Sequence, residues 1–443
     1  MRLRFAPSPT GALHLGGARA ALYNALLARR HGGSLVLRIE DTDRERSTPA
    51  NVEQILDALR WLDISYDEGP ISQAASAPRH AEVLERLLAD GHAYRSTATA
   101  DDVKAFKATH GSGHGFRGER EDRGAVRLRV PDAGETVVHD AVRGEARFAH
   151  VHLDDPVIAR ADGSVLYNFA VAVDDYDAGI THVVRGEDHL SNTPKQLLVL
   201  EAMGAPAPVY AHLPLIHGPD GKKLAKRHGA ASVQELRAQG FLPEAVVNYL
   251  ALLGAGFDPE REVFSFAELA ERFALENVTR NPAVFDEQKL RHLNGIWLRS
   301  LPAEELARRL EEHTGRRGLA GAAEISQEKI QTLEDFWPLA GFFFDGPVED
   351  PKARAKVLEA PGGRERLAEA RGVLAELEPW GTEGIESALR ELVERAGVRP
   401  RDVFQPVRVA IAGTTVSPGI FESVALLGRD EALARIDRAL APG

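Results

Sequence analysis

Residues 1–40 constrain the fold more tightly than any other stretch. Residues 2–5, Arg-Leu-Arg-Phe, alternate until Pro7 and Pro9 stop them, the pattern of a short buried strand entering a loop. The loop is Ala6-Pro7-Ser8-Pro9-Thr10-Gly11-Ala12-Leu13-His14-Leu15-Gly16-Gly17. Residues 18–30 then carry Leu22, Ala25 and Leu26 at helical spacing, and Gly32-Gly33 supplies the stop. Residues 34–39 are rich in branched side chains and read as a second strand. Strand, glycine-containing loop, helix and strand make one βαβ unit. Such a unit predicts an open parallel sheet with helices on its faces.

At 443 residues the chain has room for roughly three domains. Residues 81–165 read as an insertion. They hold a helix over 81–89 closed by Gly91, a polar run from His110 to Gly118, and strand candidates at 125–130 and 146–152. The sheet then resumes. A strand is expected at 180–185, a helix over 195–203 introduced by Thr193-Pro194, and a strand at 212–216 before the turn Gly218-Pro219-Asp220-Gly221. Beyond residue 231 the character changes. Ser232-x-x-Glu235 is a capping box, a helix is expected over 243–253, and helical patterning with few strand signals continues from there. No repeat of fixed period is present.

Charge and composition exclude several classes. Lys plus Arg number 54 against 66 Asp plus Glu, a net charge of -12, which argues against a protein that coats nucleic acid nonspecifically. With no cysteine, a disulfide framework, a thiolate metal site and a Cys nucleophile are excluded. The first residues lack an apolar leader core, and the apolar run 245–257 is too short to span a bilayer. A cytoplasmic location is the expectation.

Four constellations carry chemistry. His14-Leu15-Gly16-Gly17 stands at a strand-to-helix turn, where free backbone N–H groups and the helix dipole suit phosphate. Glu40-Asp41-Thr42-Asp43 follows the second strand, at the sheet edge where open α/β sheets bind ligands. These acids suit an ammonium, a ribose or Mg2+, or serve only as helix caps. Arg185-Gly186-Glu187-Asp188-His189 follows another strand, and Arg185 offers a fork for carboxylate or phosphate. With His182 this group also resembles a metal cluster, but its spacing fits no ligand motif. Lys222-Lys223-Leu224-Ala225-Lys226-Arg227 is a cationic loop suited to a pyrophosphate, unless it is simply a solvated basic surface. Gly113-x-Gly115-x-x-Gly118 imitates a dinucleotide-binding fingerprint but follows no strand and opens no helix, so it is rejected.

Taken together, the segments 4–17, 37–43 and 223–227 resemble a class I aminoacyl-tRNA synthetase, and more narrowly the bacterial glutamyl-tRNA synthetases. His14 to Gly17 falls at the HIGH-type position and Lys223 to Arg227 at the KMSKS-type position. Tyr167-Asn168-Phe169, the segment 182–189, Gly240-Phe241-Leu242-Pro243, Phe285-Asp286-x-x-Lys289-Leu290 and Phe404-Gln405-Pro406-Val407-Arg408 match as well, so the resemblance covers nearly the whole chain.

The resemblance implies an α/β fold. A Rossmann-like parallel-sheet catalytic domain would span 1–80 and 166–230, with an inserted acceptor-stem-binding α+β domain at 81–165. A helical stem-contact domain at 231–300 would precede an all-α anticodon-binding region at 301–443, divided at about 375. It implies a ligase that activates glutamate with ATP and Mg2+ and charges tRNA(Glu), as a monomer. His14, Gly16, Lys223 and Lys226 would be catalytic. ATP would lie against Pro7, Ser8, His14, Gly16, Gly17, Asp188, Ile216, Lys226 and Arg227. Glutamate would lie against Arg4, Ser8, Glu40, Tyr167 and Arg185. Three departures stand out. Gly17 closes the HIGH-type motif and Ala225 replaces the KMSKS-type serine. Tyr94 to Ala98 stand where some members bind zinc through cysteines, so no zinc is expected. Gly341 falls where an arginine can separate tRNA(Glu) from tRNA(Gln), so charging of tRNA(Gln) is a further possibility. The remaining alternatives are glutaminyl-tRNA synthetase, a truncated paralogue that modifies a tRNA base, and a silent paralogue that binds tRNA or nucleotide.

Overall fold

The structure is a computed structural model that describes residues 1–43, 46–225, 227, 229 and 231–441. It divides into two compact units, one formed by Met1–Leu236 and Pro243–Glu287, the other by Arg237–Leu242 and Gln288–Gly443.

The first unit begins with the expected βαβ: β1 (Arg2–Phe5), α1 (Leu15–Arg30) and β2 (Ser34–Ile39). Helix α1 starts three residues earlier than its apolar spacing predicts, because His14 caps it: Nδ1 accepts from the Gly16 N–H at 3.2 Å. Arg29 and Arg30 sit at its negative end, and Gly32, at φ +55°, lets the chain turn back. Next come α2 (Pro49–Trp61), β3 (Glu68–Ser72), α3 (Ala77–Ala89), β4 (Ala93–Ser96), α4 (Ala100–His110), β5 (Ala125–Leu128), β6 (Glu135–Asp140), β7 (Gly144–Ala149) and β8 (Val157–Ala159). The sheet resumes with α5 (Tyr167–Asp177), β9 (His182–Gly186), α6 (Thr193–Ala202), β10 (Val209–Leu213) and β11 (Ile216–His217). Then follow α7 (Val233–Ala238), α8 (Pro243–Leu252), α9 (Phe266–Arg272) and β12 (Ala283–Val284).

The main sheet has the order β3-β2-β1-β9-β10-β6-β7. All its pairs are parallel except β6–β7. The order reverses between β1 and β9, and the crevice outside the carboxyl ends of these strands is where such sheets bind ligands. The segment 81–165 serves two sheets. β4, β5 and β8 form their own antiparallel sheet, while the β6–β7 hairpin extends the main one. The strand expected at 212–216 is two strands in two sheets. Pro214 lacks a ladder donor, so β10 ends at Leu213 and β11 pairs instead with β12. The expected capping box at Ser232 and Glu235 is present, with reciprocal contacts of 3.0 and 3.3 Å. Val36, Val138, Ile180, Val183 and Tyr210 pack together as one apolar cluster.

The second unit is helical among its described residues. It comprises α10 (Glu287–Ser300), α11 (Ala303–Thr314), α12 (Ala320–Ser326), α13 (Phe336–Ala340), α14 (Phe342–Asp345), α15 (Pro351–Val357), α16 (Gly363–Ala375), α17 (Thr382–Ala396), α18 (Pro400–Ala412), α19 (Ile420–Leu427) and α20 (Arg429–Leu440). Leu367, Leu374, Ile385, Leu389, Val403, Val407 and Ile436 form the centre of its core. Phe336 and Phe342 are core residues, whereas Phe344 is exposed. Trp337 stacks on Phe344 at 5.6 Å, with the Arg316 guanidinium 4.3 Å over its ring.

Candidate active site

A cavity of about 470 Å³ opens at the reversal point of the main sheet. Arg4, Pro7, Ser8, His14, Gly16, Gly17, Glu40, Tyr167, Arg185, Asp188, Ile216 and Lys223 all line it. These residues come from β1, the β1–α1 loop, the first turn of α1, α5, β9, β11 and the segments that follow β2, β9 and β11, so the parallel sheet delivers its carboxyl ends to one place. Arg227 does not line the cavity; it is exposed and lies 3.5 Å from Asp220. Lys226 lies outside the described residues.

The two phosphate-directed segments meet here although they are far apart in sequence. His14 bridges Ser232 in antiparallel fashion, and Leu15 N–H donates to the Ala231 carbonyl at 3.0 Å. Leu13 N–H donates to Gln234 Oε1 at 3.2 Å across 221 positions. The other end of the cationic loop is held by the bridge between His217 and Lys223. Lys223 Nζ reaches Asp188 Oδ2 at 3.2 Å. Burial holds the His14 imidazole below its ordinary pKa, so at neutral pH it is uncharged.

Below this rim lies a buried charge network. Arg4, Arg38 and Arg185 face Glu40, Asp174 and Asp175, and all six are buried. Asp175 accepts from Arg38 Nη1 at 2.7 Å and from Arg4 Nε at 3.3 Å. Burial raises the Asp175 pKa, but Arg4 and Arg38 more than offset it and hold the carboxyl below the usual range. Asp174 accepts from Gln73 Nε2 at 2.8 Å and meets His80 Nε2 at 2.7 Å. Glu40 has weaker help: Arg38 stands 3.9 Å away and Ser8 Oγ 3.5 Å away. Burial therefore dominates and pushes the Glu40 pKa up to about 7.

Arg185 is anchored from behind. Its Nε donates to His212 Nε2 at 3.2 Å, its Nη2 to Thr193 Oγ1 at 2.8 Å, and it lies over the Tyr210 ring at 5.5 Å. Its Nη1 is buried and has no hydrogen-bond partner among the described residues. Burial, then the Arg4 charge, lowers its pKa. Across the cavity Tyr167 Oη meets His189 Nδ1 at 3.1 Å, and burial pushes the phenol up to about 12. The arrangement offers an unfilled cationic donor for an anion, a carboxylate that titrates near neutrality, and a helix N-terminus at the rim.

Sequence reasoning missed the residues that hold these groups. Asp174 and Asp175 lie on α5, and His212 and Asp140 on the neighbouring strands β10 and β6. Arg19 lines the cavity from α1 and donates to the carbonyls of Pro214 and Leu253. Among the described residues no three His, Asp or Glu side chains gather as a metal site, and His182, Glu187, Asp188 and His189 form no such cluster. No helix is long and apolar enough to cross a membrane among these residues.

Comparison with known proteins agrees with this geometry. Residues 1–292 match the model of the class I tRNA synthetase (E and Q) catalytic domain, and residues 301–440 that of an anticodon binding domain. The chain belongs to the class I tRNA synthetases of this E and Q family. Within that family it is 41% identical to glutamate–tRNA ligase 1 of Caldanaerobacter subterraneus subsp. tengcongensis, over 99% of this chain and 97% of the relative. It is 44% identical to glutamate–tRNA ligase 1 of Gluconacetobacter diazotrophicus, over 98% of each. Among solved structures it resembles a glutamate tRNA ligase from Elizabethkingia meningosepticum in complex with its amino acid. That match has a TM-score of 0.87 and 28% identity, over 99% of both chains.

Proposed function

We propose that this chain activates L-glutamate with ATP and transfers the glutamyl group to the 3′-terminal adenosine of tRNA(Glu). The observation that carries this reading is the buried, unpartnered Nη1 of Arg185, a residue that lines a cavity rimmed by the His14 and Lys223 segments. A side-chain carboxylate satisfies that donor with charge, and Arg4 stands close by. The neutral amide of glutamine cannot offset a buried guanidinium equally, so the site favours glutamate. Glu40 receives the α-ammonium, and Ser8 and Tyr167 complete the pocket.

ATP lies along Pro7, Ser8, His14, Gly16 and Gly17, with its phosphates at the positive end of α1 and its nucleoside against Asp188 and Ile216. An α-carboxylate oxygen of glutamate attacks the α-phosphorus, and the bond to pyrophosphate breaks. Lys223, Lys226 and Arg227 neutralise the charge that develops on the leaving group. A ribose hydroxyl of the terminal adenosine then attacks the acyl carbon and releases AMP. Mg2+ travels with the ATP phosphates, which suits a site whose acids are already paired with arginines. Zinc is not part of this reading. Tyr94 Oη donates to Asp155 at 2.5 Å and accepts from Gly118 N–H at 2.8 Å, so hydrogen bonds already tie β4 to its loops.

Residues 81–165 are assigned to the acceptor stem, 231–300 to stem contacts and 301–443 to the anticodon. The enzyme is proposed to act as a cytoplasmic monomer. A second reading, that tRNA(Gln) is also charged, is favoured by Gly341. A Cβ there would lie 2.6 Å from the Trp337 carbonyl and 2.9 Å from its indole nitrogen, so no discriminating side chain fits beside Trp337. Charging of purified tRNA(Glu) with labelled glutamate, with tRNA(Gln) in parallel, tests both readings. Failure to charge tRNA(Glu) refutes the first, and strict tRNA(Glu) specificity refutes the second.

A further inference from the structure

We infer that His212 and Asp140 are positioning residues for glutamate: the imidazole presents a bare Nε2 to the Nε–H of Arg185 and so holds that guanidinium, with its free Nη1, in place at the cavity wall. This rests on the reading above, in which Arg185 receives the substrate carboxylate.

The tautomer follows from the donors. Arg185 Nε–H can only donate, so His212 Nε2, 3.2 Å away, must carry a lone pair. The Thr193 hydroxyl also meets that nitrogen, at 3.0 Å. The imidazole proton therefore sits on Nδ1 and donates to Asp140 Oδ2 at 2.5 Å. Asp140 is itself fixed. Its Oδ1 accepts from the N–H groups of Val142 and Arg143 at 2.9 and 2.7 Å, and its Oδ2 from the His212 N–H at 3.0 Å. Strand register places the three side chains in line, because Asp140 pairs with Tyr210 and His212 pairs with Arg185. His212 is fully buried.

The charged and titratable groups around His212 are Asp140 from β6, Arg185 from β9, Arg4 from β1, Tyr210 on its own strand, and His189. Burial, reinforced by Arg185 and Arg4, outweighs Asp140 and lowers the His212 pKa, so the ring is neutral at working pH. A second proton on the ring would set two N–H donors against each other and release Arg185. Asp140→Asn would do the same without changing pH. Its amide oxygen stays with the turn N–H groups, so its NH2 faces Nδ1 and drives the imidazole proton to Nε2.

The test uses the full chain charging tRNA(Glu), with Asp140→Asn, His212→Leu and His212→Gln. The first two are expected to raise KM for glutamate about tenfold or more, the worth of one hydrogen bond to a charged group, while KM for ATP stays near wild type. His212→Gln, whose Oε1 can accept from Arg185, is expected to recover most of the loss. In the wild-type enzyme, 15N NMR is expected to find a bare Nε2 and a downfield Nδ1–H on His212, the latter lost in Asp140→Asn. An unchanged glutamate KM in Asp140→Asn, or equal rises in both KM values, overturns the proposal. So does a protonated Nε2 in the wild type, which needs no variant. If wild type charges no glutamate at all, the functional reading fails instead, and the NMR result still decides the tautomer.

Discussion

Replacing Glu40 by Gln separates stability from substrate binding, because the buried carboxylate opposes one and serves the other. Free in water, a glutamate side chain loses its proton at 4.5; in the folded chain Glu40 keeps it until about 7. Between those values the folded state binds more protons than the unfolded state, so this group's contribution to stability falls as pH rises. At about 1.4 kcal/mol per pH unit, the penalty above pH 7 is about 3 kcal/mol. The neutral amide of the Glu40→Gln variant carries no charge and escapes it. Thermal unfolding of Glu40→Gln and wild type at pH 5 and pH 8 reads the difference. The melts should nearly coincide at pH 5. At pH 8 the variant should melt about 6 °C higher, at roughly 2 °C per kcal/mol for a unit of this size. The same variant should bind glutamate poorly, since the α-ammonium loses its anion. A variant that melts lower than wild type at pH 8, or by the same margin at both pH values, refutes the argument.

The remaining expectations are these. In the wild type, kcat/KM for glutamate should fall below pH 7 as Glu40 takes up its proton, and this acid limb should vanish in Glu40→Gln. His14→Ala removes both the cap of α1 and a phosphate donor. It should lower kcat about 100- to 1,000-fold in single-turnover charging, with little change in glutamate affinity. Tyr94→Phe leaves the buried Asp155 carboxylate and the Gly118 N–H without their shared partner. It should cost about 2 kcal/mol in denaturant unfolding and leave glutamate KM unchanged. Removing Mg2+ with EDTA should abolish charging until Mg2+ is restored, whereas a zinc-selective chelator should leave the rate unaltered.

What the sequence makes legible here is local. The order β1, loop, α1 and β2 is readable because prolines, glycines and apolar periodicity each act within a few residues. The break at Pro214 is a local rule too, and a strand drawn across 212–216 overlooks it. The site itself is readable only in outline. His14, Glu40 and Arg185 stand at strand or loop ends where open sheets bind ligands. Their partners carry no local signal. Asp175 meets Arg4 across 171 positions, and Asp140 meets His212 across 72. The first is set by how α5 packs on the sheet, the second by the pairing of β6 with β10. Helix α5, which carries Asp174 and Asp175, is buried along much of its length, so apolar periodicity gives it no distinct face. Even the meeting of the His14 and Lys223 segments depends on the bridge from His14 to Ser232, a contact between loops.

The most direct test of the central claim is charging of tRNA(Glu) with ATP and either labelled glutamate or labelled glutamine, by wild type and by Arg185→Ala. The account predicts that wild type charges glutamate and rejects glutamine by a factor of about 100 or more, because an amide oxygen accepts from the guanidinium without offsetting its buried charge. It predicts that Arg185→Ala loses glutamate charging while still binding ATP. A wild-type enzyme that charges the two amino acids equally, or an Arg185→Ala enzyme that charges glutamate at the wild-type rate, would contradict it.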